Sequence, residues 1–232
     1  MKLKEIVDFL DEKIPEELAL EFDNVGLASD YDLNSDIASI KIIMDLWKSD
    51  DNFNDSTLII THHPPLFKPK TATYVIHSNW DIITGGANEA LAKSLNLKVI
   101  NYFDDETKIG RICESDYTFK ELKENISKNF ENVRIVNNID DNEKIKKIGI
   151  ISGFGLKNPN YIRLAHDKQL DLLISGDLTQ ETAILAIDLE VGLIDLGHHE
   201  SEVPGLYALA DILKELDIDL EVIDKKPIEK LM

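Results

Sequence analysis

Five of the six histidines fall in three short segments, and each segment follows an apolar run that is typical of a β-strand. These histidines are His62, His63, His77, His198 and His199. A carboxylate lies four residues after two of them, since Asp81 follows His77 and Glu202 follows His198. Imidazole and carboxylate together form a ligand set for Zn, Fe, Mn, Co or Ni. The clustering therefore indicates a metal site.

The spacing within these segments suggests how the donors could share two metals. Adjacent residues of a strand point to opposite faces, so His62 and His63 could each bind one of two neighbouring ions. His198 and Glu202 lie across a predicted helix start, with Ser201 as the cap and Pro204 in the first turn. A carboxylate that bridges two cations holds them about 3.5–4 Å apart. A His-His dipeptide alone is more often structural, so the prediction depends on two such pairs at strand ends.

Short apolar strands and helices alternate along the chain, which predicts an α/β fold. Polar residues follow four of the strands, and ligand sites in α/β sheets collect at the carboxyl ends of strands. These four strands are predicted at residues 58–60, 74–76, 172–174 and 192–196. Helices are predicted at residues 3–14, 88–95 and 180–189, and the last helix at residues 203–216. These predicted strands would place the histidine segments at the carboxyl edge of a sheet.

Bulk composition limits the function classes. The chain has 232 residues and a net charge of −19, from 25 basic and 44 acidic residues. That charge disfavours binding to nucleic acid, whose phosphates it would repel. No apolar run reaches the length of a membrane span, and the first residues lack the apolar core of a secretory signal. We expect a soluble, cytoplasmic protein. With one cysteine, Cys113, the chain can form neither an internal disulfide nor a thiolate metal cluster.

Six motifs occur in an order that resembles one known family, the NGG-interacting-factor-three-like proteins, also called GTP cyclohydrolase I type 2 homologues. The resemblance covers nearly the whole chain. The motifs are FDNVGL (22–27), THHP (61–64), HSNWD (77–81), GANEALA (86–92), ISGDLT (174–179) and GHHESE (197–202). The paired histidines and the terminal GHxxxE element are specific in combination.

The resemblance implies a dinuclear metal site and assigns its ligands. His62 and Asp81 would bind one divalent ion, His63 and His198 the other, and Glu202 would bridge them. It implies two packed α/β lobes with the site between the N- and C-terminal parts of the chain. The lobes are expected at residues 1–107 plus 170–232, which carry the site, and at residues 108–169. It also implies a homo-oligomer, a hexamer with its sites facing an inner cavity.

Three departures from the family pattern concern the surroundings of the site. The segment between His63 and His77 is short and is expected to lack a helix that many members have there. Gln180 and Glu181 stand where the family often has histidines after the Gly-Asp element. Phe22 stands where a tryptophan is common. None of these departures removes a predicted metal ligand, but they leave the substrate open.

Two functions of different classes follow. The first is a metal-dependent hydrolase in which metal-bridged hydroxide attacks a nucleotide-like substrate, with His77 or His199 moving protons. For a GTP-like substrate the attack would fall on C8 of the purine, but no basic cluster is evident to hold a triphosphate. The alternative is a non-catalytic metal chaperone, for iron or another cation, or a cofactor-assembly protein. An unrelated metal-dependent hydrolase of small phosphoesters or amides is a third possibility.

Overall fold

The computed structural model describes residues 1–136 and 139–228. Within these residues, helices and strands alternate as predicted, so the α/β fold class is confirmed. The helices are α1 (Leu3–Lys13), α2 (Ser78–Ile82), α3 (Ala87–Ser94), α4 (Phe119–Ile126), α5 (Pro159–Asp167), α6 (Gln180–Asp188) and α7 (His198–Leu213). The strands are β1 (Gly26–Leu27), β2 (Ser39–Ile43), β3 (Thr57–Thr61), β4 (Ala72–Val75), β5 (Lys98–Tyr102), β6 (Arg111–Glu114), β7 (Arg134–Val136), β8 (Lys147–Ile150), β9 (Leu172–Ser175), β10 (Gly192–Asp195) and β11 (Asp219–Ile223).

The first compact unit comprises Met1–Gly86 and Leu206–Met232. Its sheet has the order β1-β4-β3-β2-β11, in which β4, β3, β2 and β11 run parallel and β1 is antiparallel. All five residues of β3 are buried, as expected for a central parallel strand covered on both faces. The carboxyl ends of β2, β3, β4 and β11 therefore lie along one edge of this sheet.

The second unit comprises Ala87–Gly205 and has a sheet of the order β5-β6-β8-β9-β10-β7. Strands β8, β9 and β10 are parallel, and β5, β6 and β7 add antiparallel pairs at the two sides. A core that includes Ile148, Leu172, Ile174 and Ile194 covers the parallel strands. Asp177 and His198 follow the carboxyl ends of β9 and β10 respectively.

The unit boundaries differ from the lobes expected from the resemblance, residues 1–107 plus 170–232 and 108–169. Both divisions build one unit from the two ends of the chain. In the structure, however, β9 and β10 pair with β8 and so place residues 170–205 in the second unit. None of the helices in the described parts of the chain is long and apolar enough to cross a membrane.

One local prediction about a helix was wrong, and one helix was not predicted. Helix α7 begins at His198 and not at residue 203, so Pro204 lies inside the helix and Ser201 is not its cap. The Ser201 amide already donates to the Gly197 carbonyl, four residues earlier. Helix α2 was not predicted, since its apolar pattern is too short to show a helical period. The carboxylate of Asp23, far away in sequence, accepts hydrogen bonds from the Ser78 amide and hydroxyl at its first turn.

Candidate functional site

Three imidazoles meet at the carboxyl edge of the sheet in the first unit. His62 and His63 follow β3, and their amides continue its ladder by donating to the carbonyls of Ile43 and Met44. His77 follows β4, which runs parallel to β3. The three rings lie 4.9, 5.2 and 5.4 Å apart between centroids. One nitrogen from each ring lies within 4.8 Å of the others, so this group could hold a metal ion.

An oxygen atom behind each ring holds its Nδ1 atom. His62 Nδ1 lies 3.0 Å from the Ile76 carbonyl, which can only accept, so this nitrogen carries the proton. His63 Nδ1 lies 2.8 Å from Asp45 Oδ1. His77 Nδ1 lies 2.9 Å from both carboxylate oxygens of Asp23. With Nδ1 engaged in this way, Nε2 is the atom available as a metal donor, an arrangement typical of metal-binding histidines.

Asp81 is brought towards these rings by the short helix α2. The His77 amide donates to Asn79 Oδ1 at 3.0 Å, which forms the turn into the helix. The Asn79 side chain in turn donates to the Ile14 carbonyl and anchors the turn. Asp81 Oδ1 lies 3.8 Å from His62 Nε2. Two donors with metal bonds of about 2.0–2.2 Å can be at most about 4.4 Å apart, so this pair fits one ion.

A second pair of donors lies in the second unit on the first turns of α7. His198 Nε2 and Glu202 Oε1 are 3.1 Å apart, because residues four apart share one face of a helix. Asp177, at the carboxyl end of β9, accepts from His198 Nδ1 at 2.9 Å. Lys157 Nζ lies 3.5 Å from the same Asp177 oxygen. The His198 ring is thus oriented by a carboxylate, as are those of His63 and His77.

The Glu202 carboxylate is buried, and the backbone at Gly153 makes room for it. A Cβ atom at Gly153 would come within 2.2 Å of Glu202 Oε1 and 3.3 Å of His198 Nε2. Gly153 also has a φ of +77°, which disfavours other residues. The Gly153 amide donates to Ser201 Oγ at 2.8 Å and so ties this turn to α7. The chain has a glycine here because both its conformation and the approach of Glu202 require one.

Ionisation in the first unit is set by the hydrogen bond between Asp23 and His77. Burial raises the pKa of Asp23, but hydrogen bonds from His77 and Ser78 outweigh it and hold this pKa well below its ordinary value. Burial lowers the pKa of His77, yet the hydrogen bond to Asp23 and the charge of Asp81 leave it raised. The hydrogen bond therefore favours the charged form of both side chains.

The same balance holds for His198 in the second unit. Burial lowers the pKa of His198, but hydrogen bonds to Asp177 and Glu202 raise it to about 9. The hydrogen bond from His198 is the main reason that the pKa of Asp177 lies below its ordinary value. Negative charge thus surrounds this ring. A cation bound at Nε2 would neutralise the Glu202 carboxylate in place of the proton, while Nδ1 keeps its hydrogen bond to Asp177.

His199, predicted as a proton-transfer residue, is buried at the second position of α7. Within the part of the chain that the structure describes, it belongs to none of the groups of three or more donor atoms that could hold a metal. Its catalytic role stays a prediction. His77, the other predicted proton-transfer residue, instead lies in the same group of donors as His62 and His63.

The sequence reasoning missed the three carboxylates that orient the histidines. Asp23 lies in the FDNVGL motif, and Asp45 and Asp177 follow the carboxyl ends of β2 and β9. An aspartate two residues after the end of a buried parallel strand was the available signal for the last two. The turn SGFG (152–155) is held within the second unit, because its amides at Gly153 and Gly155 donate to the hydroxyls of Ser201 and Ser175.

The fold and these histidine–carboxylate groups define a class, the α/β proteins that could hold a metal at the carboxyl ends of parallel strands. The profile of the Duf34/NIF3 (NGG1p interacting factor 3) family matches residues 1–73 and 70–227. The chain therefore belongs to the Duf34/NIF3 family. This confirms the resemblance seen in the motifs, and it accounts for nearly all of the sequence.

Similar proteins in other organisms support the same assignment. A protein of Methanothermobacter thermautotrophicus described as GTP cyclohydrolase 1 type 2 homolog is 33% identical, over 97% of this chain and 93% of its own length. A Methanocaldococcus jannaschii protein with the same description is 31% identical, over 96% of this chain and 98% of its own. NIF3-like protein 1 of Drosophila melanogaster is 26% identical, over 98% of this chain and 88% of its own.

Solved structures extend the likeness to three dimensions. The structure described as reduced HcgD from Methanocaldococcus jannaschii has a TM-score of 0.86 and 29% identity, covering 97% of this chain and 98% of that one. A hypothetical protein of Staphylococcus aureus has a TM-score of 0.80 at 23% identity, covering 100% and 99% of the two chains, and shows the fold alone.

Proposed function

We propose that this chain binds two divalent metal ions through His62, His63, Asp81, His198 and Glu202 and acts as a metal-dependent hydrolase. The observation that carries the proposal is the orientation of the imidazoles. Each ring is held through Nδ1 by a carbonyl or carboxylate oxygen, which leaves Nε2 for the metal. Zn, Fe, Mn, Co and Ni all accept this ligand set, so it does not name the metal.

The proposed ligands carry different tasks. His62 and Asp81 would bind one ion and His63 and His198 the other, with Glu202 as the bridge, as the family resemblance implies. Bound divalent ions lower the pKa of a water ligand towards neutrality and polarise the substrate. Asp45 and Asp177 would keep the rings of His63 and His198 in position without contacting substrate.

His77 and His199 are the proposed proton-transfer residues. Asp23 fixes the ring of His77 next to those of His62 and His63, so a proton held there would lie beside the ligands. A histidine is suited to this task because its ordinary pKa lies near neutral pH. The proposed substrate is nucleotide-like, which agrees with the cyclohydrolase-homolog description of the relatives.

The net charge favours a second function from a different class. A chain with a net charge of −19 repels nucleotide triphosphates and attracts cations. We therefore also propose a carrier role, in which the same ligands deliver iron or another divalent ion, or assist cofactor assembly. The two functions share the metal site, but only the hydrolase would convert a substrate to product.

The metal site is tested first by the metal content of the purified protein, measured by plasma mass spectrometry. We expect near two ions per chain in wild type after reconstitution with Zn, Fe or Mn, and a sharp fall in Glu202→Gln. Glu215→Gln is the matched control, since Glu215 is an exposed glutamate paired with Lys13. A wild-type protein that binds no ion under any of these conditions would overturn the proposal.

Turnover then separates hydrolase from carrier. The reconstituted protein is incubated with a panel of nucleotides, small phosphoesters and amides, and products are followed by chromatography. Hydrolysis that His77→Gln abolishes while metal content is retained supports the enzyme. Absence of turnover, together with rapid and reversible release of metal to a chelator, supports the carrier.

We further propose that the chain assembles as a homohexamer, as the resemblance implies. The monomer has a mass of 26.3 kDa, so the hexamer would have a mass of about 158 kDa. Light scattering coupled to size exclusion measures this directly. A mass equal to that of one chain at micromolar concentration would refute the hexamer and leave the metal site untouched.

A further inference from the structure

A small cavity lies at the carboxyl edge of the first sheet, beside the histidines but distinct from them. It has a volume of about 160 Å³. The loop after β2 and the end of β11 form its walls, since these two strands are parallel neighbours. Clefts at this edge of an α/β sheet are where ligands ordinarily bind.

The lining combines an apolar wall with two carboxylates. Leu46 and Phe53 are apolar side chains of this wall, and Trp47 contributes one face of its indole ring. Asp45 and Asp50 supply the negative charge. An enclosed apolar wall with a few polar groups at one end is the usual composition of a small-molecule site.

A cation from the chain itself already occupies the indole face. Lys225 Nζ lies 3.6 Å from the centroid of the Trp47 ring, close for a cation–π contact. The same ammonium donates to Asp50 Oδ2 at 2.6 Å. This hydrogen bond is the main reason that the pKa of Asp50 is lowered. Trp47 and Asp50 together thus bind a cation, and Lys225 is exposed enough to leave them.

We propose that this cavity binds a small planar organic cation, a single aromatic ring that carries an amidine or protonated amino group. The ring would lie against the Trp47 face and the apolar wall, and its N–H edge would replace the Lys225 ammonium at Asp50. The volume fits one ring, because a cavity of about 150 Å³ can hold benzene. An amidine edge matches a carboxylate with two parallel hydrogen bonds.

The cavity adjoins the proposed metal ligands through one residue. Asp45 lines the cavity and accepts from His63 Nδ1. An occupant would therefore lie one side chain away from His63. Binding in the cavity uses no metal, so it is measured on chelator-treated protein and stands apart from the proposed function.

Benzamidine is the probe, and binding is measured by calorimetry and ligand-observed NMR on the metal-free full chain at pH 7. We expect wild type to bind benzamidine and to show no binding of benzoate, which carries the opposite charge. Lys225→Ala should tighten binding by about threefold or more, because it removes the internal competitor from the ring face. Lys98→Ala, which removes an exposed lysine paired with Glu114, should leave binding unchanged.

The indole is tested by a pair of variants. Trp47→Leu should weaken benzamidine binding by about tenfold, and Trp47→Phe, which keeps an aromatic face, should retain most of it. Thermal melting of each variant shows whether it is folded. Equal binding by wild type and Trp47→Leu would overturn the proposal, and so would a failure of both wild type and Lys225→Ala to bind.

Discussion

At the scale of single residues, aspartates rather than the histidines themselves determine how the metal donors are presented. Asp45 and Asp177 hold the rings of His63 and His198 from behind, at 2.8 and 2.9 Å. An imidazole that donates through Nδ1 to a carboxylate is fixed in tautomer and direction and is a more basic ligand. Loss of the aspartate should therefore weaken metal binding while the ligand itself remains.

Asp177→Ala tests this orienting role. We expect its metal affinity to fall about 10–100-fold, since that is the usual effect of removing a hydrogen-bond partner behind a metal ligand. Asp167→Ala is the matched control, because Asp167 contacts an exposed histidine, His166, on α5. Competition with a chromogenic chelator measures both affinities. An affinity in Asp177→Ala equal to that of the control would show that the carboxylate does not support the ligand.

Alanine substitutions at Gly153 and Gly85 distinguish the effect of backbone strain from the effect of crowding at Glu202. Their φ angles are +77° and +81°, so alanine should cost either position about 1–2 kcal/mol of folding stability. Only at Gly153 would the new Cβ meet Glu202 Oε1, at 2.2 Å, whereas nothing lies within 4 Å of it at Gly85. We expect Gly153→Ala to lose metal and Gly85→Ala to keep it, measured by metal content after urea unfolding has confirmed both folds. Full metal content in Gly153→Ala would show that Glu202 can move without loss.

At the scale of elements, strands were easier to predict from the sequence than the connections that place side chains. The prediction for β3 at residues 58–60 is within one residue of the observed Thr57–Thr61, because a short, continuous apolar run marks a buried parallel strand. The start of α7 was misplaced because Ser201 and Pro204 resemble a helix start. The Ser201 hydroxyl instead accepts from the Gly153 amide and donates to the His198 carbonyl. The first contact joins residues that are far apart in sequence, so no local sequence pattern reveals it.

The candidate site shows the same division. Motifs and residue types named the histidines, Asp81 and Glu202 as candidate ligands, because donor chemistry depends on residue type alone. The partners behind them could not be assigned from sequence, since Asp23 precedes His77 by 54 residues and Asp45 precedes His63 by 18. Such pairs are determined by strand order, which the sequence pattern leaves open.

Asp51 links two connections of the first unit and carries a pH-dependent contribution to stability. This buried carboxylate accepts from the amides of Lys70 and Thr71 at 2.8 and 3.0 Å. Burial raises its pKa, but these hydrogen bonds outweigh it and leave the pKa below its ordinary value. The stabilisation is therefore complete above the unfolded pKa of about 3.9 and is lost as the pH falls through the folded pKa.

Asp51→Asn should lower the unfolding free energy by about 1–3 kcal/mol at pH 7, because it replaces the charged acceptor of two buried hydrogen bonds with a neutral amide. The difference from wild type should narrow as the pH falls below about 4, where the wild-type carboxylate also takes up a proton. Urea unfolding at a series of pH values measures it. Asp55→Asn, at an exposed position in the same loop, should show no such trend. If the difference in unfolding free energy stays constant with pH, the shape of the Asp51 side chain and not its charge stabilises the loop.

At the scale of the whole molecule, the excess of 19 negative charges is the dominant electrostatic feature. Repulsion among like charges destabilises a compact chain, and it acts over about 10 Å at 0.1 M salt. Most ion pairs in the described residues lie at the surface, for example Lys4–Asp8 and Lys98–Glu114, and such pairs contribute little. Screening should therefore remove more repulsion than attraction.

We expect sodium chloride to raise the unfolding free energy of the metal-free protein, with most of the rise between about 0.02 and 0.2 M as the Debye length shortens. Urea unfolding at fixed pH 7 measures the effect, and sucrose at matched osmolality controls for solute exclusion. The rise should level off above about 0.3 M, because screening is then nearly complete at the distances between neighbouring surface charges. Stability that fell with salt would mean that attraction within ion pairs outweighs repulsion from the net charge.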